Sequence, residues 1–201
     1  MRFRHPAAFP LLATMLLASP AHAAPRETPH ILECSGPFAR NATHQSIVKT
    51  FGAGNVTVQK VGIGEGETVT ASVIFPRDKA RRVEVLWIDE KRRRKPSEIR
   101  VGPGSRWRTA QGVTVGMPLA DVETINGKPF QVYGFGWDYA GTTLDWQEGA
   151  LAAKSGHCAL QLRFDQTAQT DADIVGERSF SSDDKGMRSA KPVVEEMSLR
   201  F

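Results

Sequence analysis

Between Asn55 and Val101 apolar and polar residues alternate with a period of two, which is the signature of strands with one buried face. Asn55 to Val61 sets Val56 and Val58 on either side of Thr57. Val69 to Phe75 is rich in β-branched residues and stops at Pro76, and Arg82 to Asp89 carries Val83, Val85 and Trp87 on one face. Pro76 to Lys79 is the turn between the last two, which predicts an antiparallel pair. Glu90 to Ser97 reads as a charged loop and Glu98 to Val101 as a short strand. Ahead of them the period changes. Thr43 to Phe51 places Ile47, Val48 and Phe51 at helical spacing and runs into Gly52-Ala53-Gly54, and glycine commonly stops a helix there.

The second half repeats the order. Pro118 to Asn126 predicts a helix with Leu119, Val122 and Ile125 in one apolar stripe, opened by a proline whose missing N–H costs nothing and closed by Gly127. Strands are predicted at Phe130 to Tyr139, Thr142 to Trp146, Ala159 to Asp165 and Ile174 to Phe180, with Val193 to Phe201 closing the chain. Gln166 to Ala172 and Ser181 to Pro192 read as polar connections. The fold class is α+β: antiparallel sheet with a few short helices on one face. Ser46 to Gly52 falls beside Asp121 to Gly127 at an offset of 75, and Val83/Val85/Trp87 falls beside Leu160/Leu162/Phe164 at nearly the same offset. Two related helix-plus-sheet repeats and a chance similarity both stay open.

The first residues change the picture of the compartment. Arg2 and Arg4 precede an apolar run from Phe9 to Ala18, and Ala21-His22-Ala23 has the small-residue form of a cleavage site. The expected organisation is therefore a signal peptide at 1–23, a loose leader at 24–36 and two α+β halves at 37–104 and 105–201. The expected location after cleavage near Ala23/Ala24 is the periplasm, or secretion. No transmembrane segment is expected, and Leu32-Glu33 ahead of Cys34 does not suit a lipoprotein site. The signal peptide holds two of the 26 Lys and Arg residues and none of the 22 Asp and Glu, so the rest of the chain carries a formal charge of only +2. A field that small gives no reason to expect a nucleic-acid partner. Cys34 and Cys158 are the two cysteines, and an even count in an oxidising compartment predicts a disulfide. Closing a loop of about 120 residues would stabilise the fold by roughly 4–5 kcal/mol on the loop-entropy model.

Two stretches are candidate binding surfaces. In Gln131 to Tyr139 the rings Tyr133, Phe135 and Trp137, with Tyr139, alternate with small residues. On one strand they share a face, either as a stacking platform for a glycan or a patch for a protein, or as the sheet face that the Pro118–Asn126 helix covers. The second is the better fit to the pattern, and it leaves open whether Trp137, Asp138 and Tyr139 project beyond the helix. Trp146 is named with them as a possible contact. The run Lys91, Arg92, Arg93, Arg94 and Lys95 fits either an anionic partner or a solvated hairpin loop that keeps a sheet edge from pairing.

Catalytic patterns are sparse. There is no G-x-S-x-G, no H-E-x-x-H and no C-x-x-C. Gly62 to Glu67 reads as a turn, because two carboxylates would repel phosphate. Asp171 to Gly176 begins like a calcium loop, but Val175 and Ser182 stand where oxygen-rich ligands belong. No cofactor or metal is expected. Asp138, Asp145 and Glu148 beside the tryptophans are the carboxylates that a glycan-acting enzyme would use.

The residues Gly116-Met117, Val122 and Gly127-Lys128-Pro129 together resemble the opening of the small α+β modules of the outer-membrane assembly lipoprotein BamE and of the beta-lactamase inhibitor protein. Those families begin with a Gly-Met-Thr-type turn, a short helix carrying Val at this spacing and Gly-x-Pro before a strand; here Pro118 replaces the threonine and Asn126 an apolar residue. The stretch NGKPFQVYGFGWDYAG is also similar to exported bacterial proteins, which implies a compartment and no activity. The BamE-like resemblance implies a non-catalytic envelope scaffold, and the inhibitor resemblance implies binding to a hydrolase. The function expected from the sequence is a soluble periplasmic binding or interaction module without catalysis, with an envelope protein or glycan as partner. The alternatives are an exported inhibitor of a hydrolase and a carboxylate-dependent glycan-acting enzyme.

Overall fold

A computed structural model describes Met1 and residues 30–152, 157–166 and 172–201; the expected signal peptide after Met1, residues 24–29 of the leader, and residues 167–171 of the expected polar connection, Asp171 among them, lie outside the described residues. The elements are β1 (Ile31–Leu32), α1 (His44–Phe51), β2 (Val56–Gly64), β3 (Glu67–Ile74), β4 (Val83–Asp89), β5 (Arg94–Val101) and β6 (Arg108–Thr109). The chain continues with α2 (Leu119–Asn126), β7 (Gln131–Tyr133), β8 (Thr143–Asp145), β9 (Ala159–Asp165), β10 (Ser179–Ser181), α3 (Lys185–Ala190) and β11 (Val193–Arg200). The fold is α+β and mostly β, as the period of the sequence predicts.

Six strands make one antiparallel sheet in the order β2-β3-β4-β5-β11-β9. β5 pairs with β11 from Val101↔Met197 to Glu98↔Arg200, so the expected halves 37–104 and 105–201 share this sheet. The helices α1 and α2 recur at an offset of 75 residues. The strands after them follow different courses: β2 to β5 stay in one sheet, whereas β7 and β8 join β10 in a separate three-stranded sheet and β9 returns to the main one.

One face of the main sheet builds the core. Val83, Val85, Ile99, Met197, Leu162 and Phe164 point there, and Ile47 of α1, Leu119 and Val122 of α2, and Met187 and Ala190 of α3 belong to the same buried cluster. Both predicted helix ends hold. Gly52 takes φ +87° and Gly127 takes φ +79°, a left-handed cap whose N–H reaches Glu123 and Thr124 oxygens. Asn126, buried among apolar residues, is fully engaged: its Nδ2 donates to Lys128 O at 2.9 Å and Trp146 O at 3.0 Å, and its Oδ1 accepts from Leu151 N at 3.1 Å.

Four segments differ from expectation. Ile31–Leu32, expected in a loose leader, pairs in parallel with β6, and Leu32 and Cys34 are buried. β5 starts at Arg94, four residues earlier than predicted, because Lys95 N–H is held by Ala42 O at 3.1 Å. Ser181 to Pro192 contains α3, which its short apolar spacing hides; Asp184 starts it by accepting from the Gly186 and Met187 N–H groups. Ile174 to Phe180 is not one strand, and only its end enters β10.

His44 heads α1, and its Nδ1 lies 2.8 Å from Ser72 Oγ. The buried Ser72 hydroxyl also accepts from Trp87 Nε1 at 3.1 Å, and the direction of its hydrogen bond with His44 follows the imidazole tautomer. Burial, and after it the Arg93 charge, lowers the His44 pKa below 6.5. The unfolded chain therefore takes up this proton more readily than the folded one. The contribution is present above about pH 6.5 and is lost as pH falls toward the lower folded value. Thermal melts are expected to shift down across that window in the wild type and less in His44→Gln. Parallel profiles for the two proteins would show that His44 is not the titrating group.

Candidate functional site

The polar positions of the alternating strands face away from the helices, and the register brings them together. Glu84 of β4 lies opposite Arg100 of β5, Arg100 opposite Ser198 of β11, and Ser198 opposite Gln161 of β9. In the next rows Glu98 faces Arg200, and Glu196 faces Arg163. Cross-strand neighbours on one face sit within side-chain reach, so the face becomes a network of planar charged groups. Arg82 Nη2 and Arg100 Nη2 lie 2.7 and 2.8 Å from the two Glu84 oxygens. Arg200 Nη1 lies 3.5 Å from Glu98 Oε2 and donates to Gln161 Oε1 at 2.9 Å. Arg163 Nη2 reaches Glu195 at 3.1 Å and Glu196 at 3.9 Å, while its buried Nε has no hydrogen-bond partner among the described residues.

This network is the floor of an open groove of about 1180 Å3. At one side the β2–β3 hairpin curls over the floor, turned by Glu65 and Gly66 at positive φ, and Arg100 Nη2 donates to Gly62 O at 2.6 Å to hold the tip down. Val61, Ala71, Val73 and Leu86 form a small apolar cluster beneath that hairpin. The facing wall is the segment around Tyr133, Asp138, Tyr139 and Leu144. It is fixed to β9 where Phe164 N–H donates to Gly141 O at 2.9 Å and Leu162 N–H to Thr143 Oγ1 at 3.0 Å.

Electrostatics differ along the floor. Burial pushes the Glu196 carboxyl above its ordinary value; Glu98 and Glu84 add to this, and Arg100 and Arg163 oppose it. Burial works against the Arg100 charge, but Glu196, Glu84 and Glu98 outweigh it and raise its pKa.

The aromatic stretch is not one strand. β7 ends at Tyr133, because Gly134 lets two carbonyls come so near that a Cβ there would sit 2.6 Å from Gly176 O and 2.7 Å from Ile174 O. The Phe135 N–H then donates to Ile174 O, which draws Phe135 into the core at 3% exposure, and the chain turns at Gly136 with φ +83°. The alternation therefore breaks and the rings divide. Tyr133, Trp137 and Tyr139 gather edge to face, with centroids 5.0 and 5.4 Å apart, and Tyr139 is 60% exposed on the groove wall. The α2 helix meets the 150–152 turn, and of the four rings Phe135 shares its buried cluster. Trp146 belongs to the core at 8% exposure, its ring tilted against Phe130 with centroids 4.9 Å apart and its Nε1 donating to Leu160 O. Phe135 and Trp146 are thus removed from the candidate surface, while Tyr133, Trp137, Asp138 and Tyr139 stay.

Of the carboxylates beside the tryptophans, Asp138 lines the groove, Asp145 accepts from its own Gln147 N–H at 2.7 Å and Glu148 is exposed. The groove's own carboxylates are Glu84, Glu98 and Glu196. The local signal for them is Glu84 between Val83 and Val85 and the polar positions that alternate with apolar ones in β5, β9 and β11. Among the cations, Lys91, Arg92, Arg94 and Lys95 are exposed around the β4–β5 turn and Arg93 is half-buried. Cys34 and Cys158 form the expected disulfide, with Cα atoms 6.2 Å apart. Among the described residues no group of His, Cys, Asp and Glu is placed to hold a metal ion, and no helix is long and apolar enough to cross a membrane. Comparison with protein-family models, with curated proteins and with solved structures returned no match.

Proposed function

We propose that this protein is a non-catalytic binding module of the cell envelope and that its concave groove holds an extended glycan. The carrying observation is the exposed Tyr139 ring, backed by the half-buried Trp137 and Tyr133, beside a charge-balanced polar floor. A sugar presents an apolar C–H face, which stacks on a ring such as Tyr139, and hydroxyl groups that both donate and accept. Arg163, Arg200, Gln161 and Glu196 supply donors and acceptors in planar side chains. Because the floor charges are largely paired with one another, the groove selects hydroxyl-rich ligands over strongly charged ones. The leader pattern and the buried disulfide support export to an oxidising compartment such as the periplasm.

Calorimetric titration with soluble peptidoglycan fragments and neutral oligosaccharides tests this. Binding to one of these sets is expected, with Tyr139→Ala weakening it about tenfold and Arg163→Gln weakening it as well. Tight binding that ignores both substitutions would remove the groove from the reading. Capture of a hydrolase through the same residues, with no glycan binding, would select the inhibitor alternative.

One observation favours a second reading. Glu196 is a carboxyl with a raised pKa beside the paired carboxylates Glu84 and Glu98, which is how a general acid is prepared in a glycan-acting enzyme. Release of reducing ends from the bound glycan, lost in Glu196→Gln with binding retained, would establish that activity.

A further inference from the structure

The β4–β5 turn lies outside the groove, and its geometry is more specific than that of a solvated loop. Arg93 and Lys95 take positive φ of 51° and 57°, which no glycine relieves. The turn holds that shape because it is clasped to the start of α1. His44 N–H donates to Arg93 O at 3.0 Å, Lys95 N–H donates to Ala42 O at 3.1 Å, and Thr43 bridges Arg94. The clasp presents Lys91, Arg92, Arg94 and Lys95 outward on a fixed backbone, with Arg40 exposed in the segment that leads to the clasp. The nearby acids leave most of this charge uncompensated: Asp89 pairs with Arg92 at 3.3 Å, and Glu90 is engaged by Lys60 and the Thr70 N–H. Directly before the turn, Ile88 is 66% exposed.

We infer that the β4–β5 turn is a contact surface for an anionic lipid bilayer, with the clasped cations on headgroup phosphates and Ile88 at the apolar boundary. A hairpin tip is a projecting feature. A bilayer needs no recess and no fixed register on its partner, only a local density of cations, and each one near the surface adds to the attraction. An exposed aliphatic side chain beside such cations gains by leaving water at the interface. The overall charge of the chain is too small to give this attraction, so the effect belongs to the turn.

Co-sedimentation with vesicles tests the surface. The vesicles are phosphatidylcholine alone or mixed with phosphatidylglycerol, and a soluble polyglutamate arm represents an acidic protein. Wild type and variants carry the same N-terminus, so any contribution from the leader is common to both. Binding is expected only with phosphatidylglycerol, to weaken with salt, and to fall roughly fivefold for each cation removed in the Lys91→Gln, Arg92→Gln, Arg94→Gln, Lys95→Gln series. Ile88→Ser is expected to weaken it several-fold more than it weakens any binding to polyglutamate. Melting temperatures of these surface variants should match wild type, so that loss of binding is not loss of fold. Equal vesicle binding by wild type and the fourfold variant would overturn the inference. So would polyglutamate binding as tight as vesicle binding with no effect of Ile88→Ser, an outcome that assigns the turn to an acidic protein.

Discussion

Replacing Gly141 with alanine is expected to destabilise the fold by about 3–5 kcal/mol, read as a lower urea midpoint at unchanged slope. Gly141 sits at φ +68°, and a Cβ on it would lie 2.0 Å from Phe164 O and 3.0 Å from the Phe135 ring. Neither neighbour has room to give. Phe164 O belongs to the backbone of β9, and Phe135 is packed in the core. The variant must therefore push the 141–143 segment off β9, and with it the wall that carries Tyr139. Gly112→Ala is the control. Its φ is +95° but nothing lies within 4 Å of its Cβ, so only the backbone cost remains, about 1 kcal/mol. Equal costs at the two positions would mean that the close approach of Gly141 to β9 is wrong.

Removing the disulfide is the second large effect. Cys34 follows β1 and Cys158 precedes β9, so the bond joins the start of the described fold to the main sheet across 124 residues. Cys34→Ala/Cys158→Ala is expected to lose about 2–5 kcal/mol, chiefly through the freedom returned to the unfolded chain. Amide exchange should rise first around 30–36, where β1 shares just two paired residues with β6. A double variant with the wild-type urea midpoint and wild-type exchange in that segment would show that the bond does not stabilise the fold.

These two sites mark how far local patterning reaches. The helix ends at Gly52 and Gly127 were legible because a cap is decided by neighbouring residues. β4, β9 and β11 were legible because their apolar faces keep a clean period of two. The Tyr133–Tyr139 row failed on the same rule. Its period is that of a strand, yet Gly134 and Gly136 serve a close approach and a turn that depend on Ile174 to Gly176, about 40 residues away in the chain. Helix α3 was hidden because its six residues hold only Met187 and Ala190 at helical spacing, and tertiary burial makes up for weak propensity. The groove floor lies between these cases. The floor's polar residues alternate with apolar ones in β5, β9 and β11, but their meeting requires the order β4-β5-β11-β9, and strand order is a long-range property.

The account rests on the claim that the face opposite the helices is the working face. The most direct test is an amide chemical-shift titration of the disulfide-bonded protein with soluble peptidoglycan fragments. The expected shifts lie on Tyr133, Tyr139, Leu144 and Arg163 along the wall and floor, with Arg100 and Gly62 following at the hairpin tip, and no movement at the β4–β5 turn. Saturating shifts confined to the helix side of the sheet, with the groove residues unmoved, would contradict it.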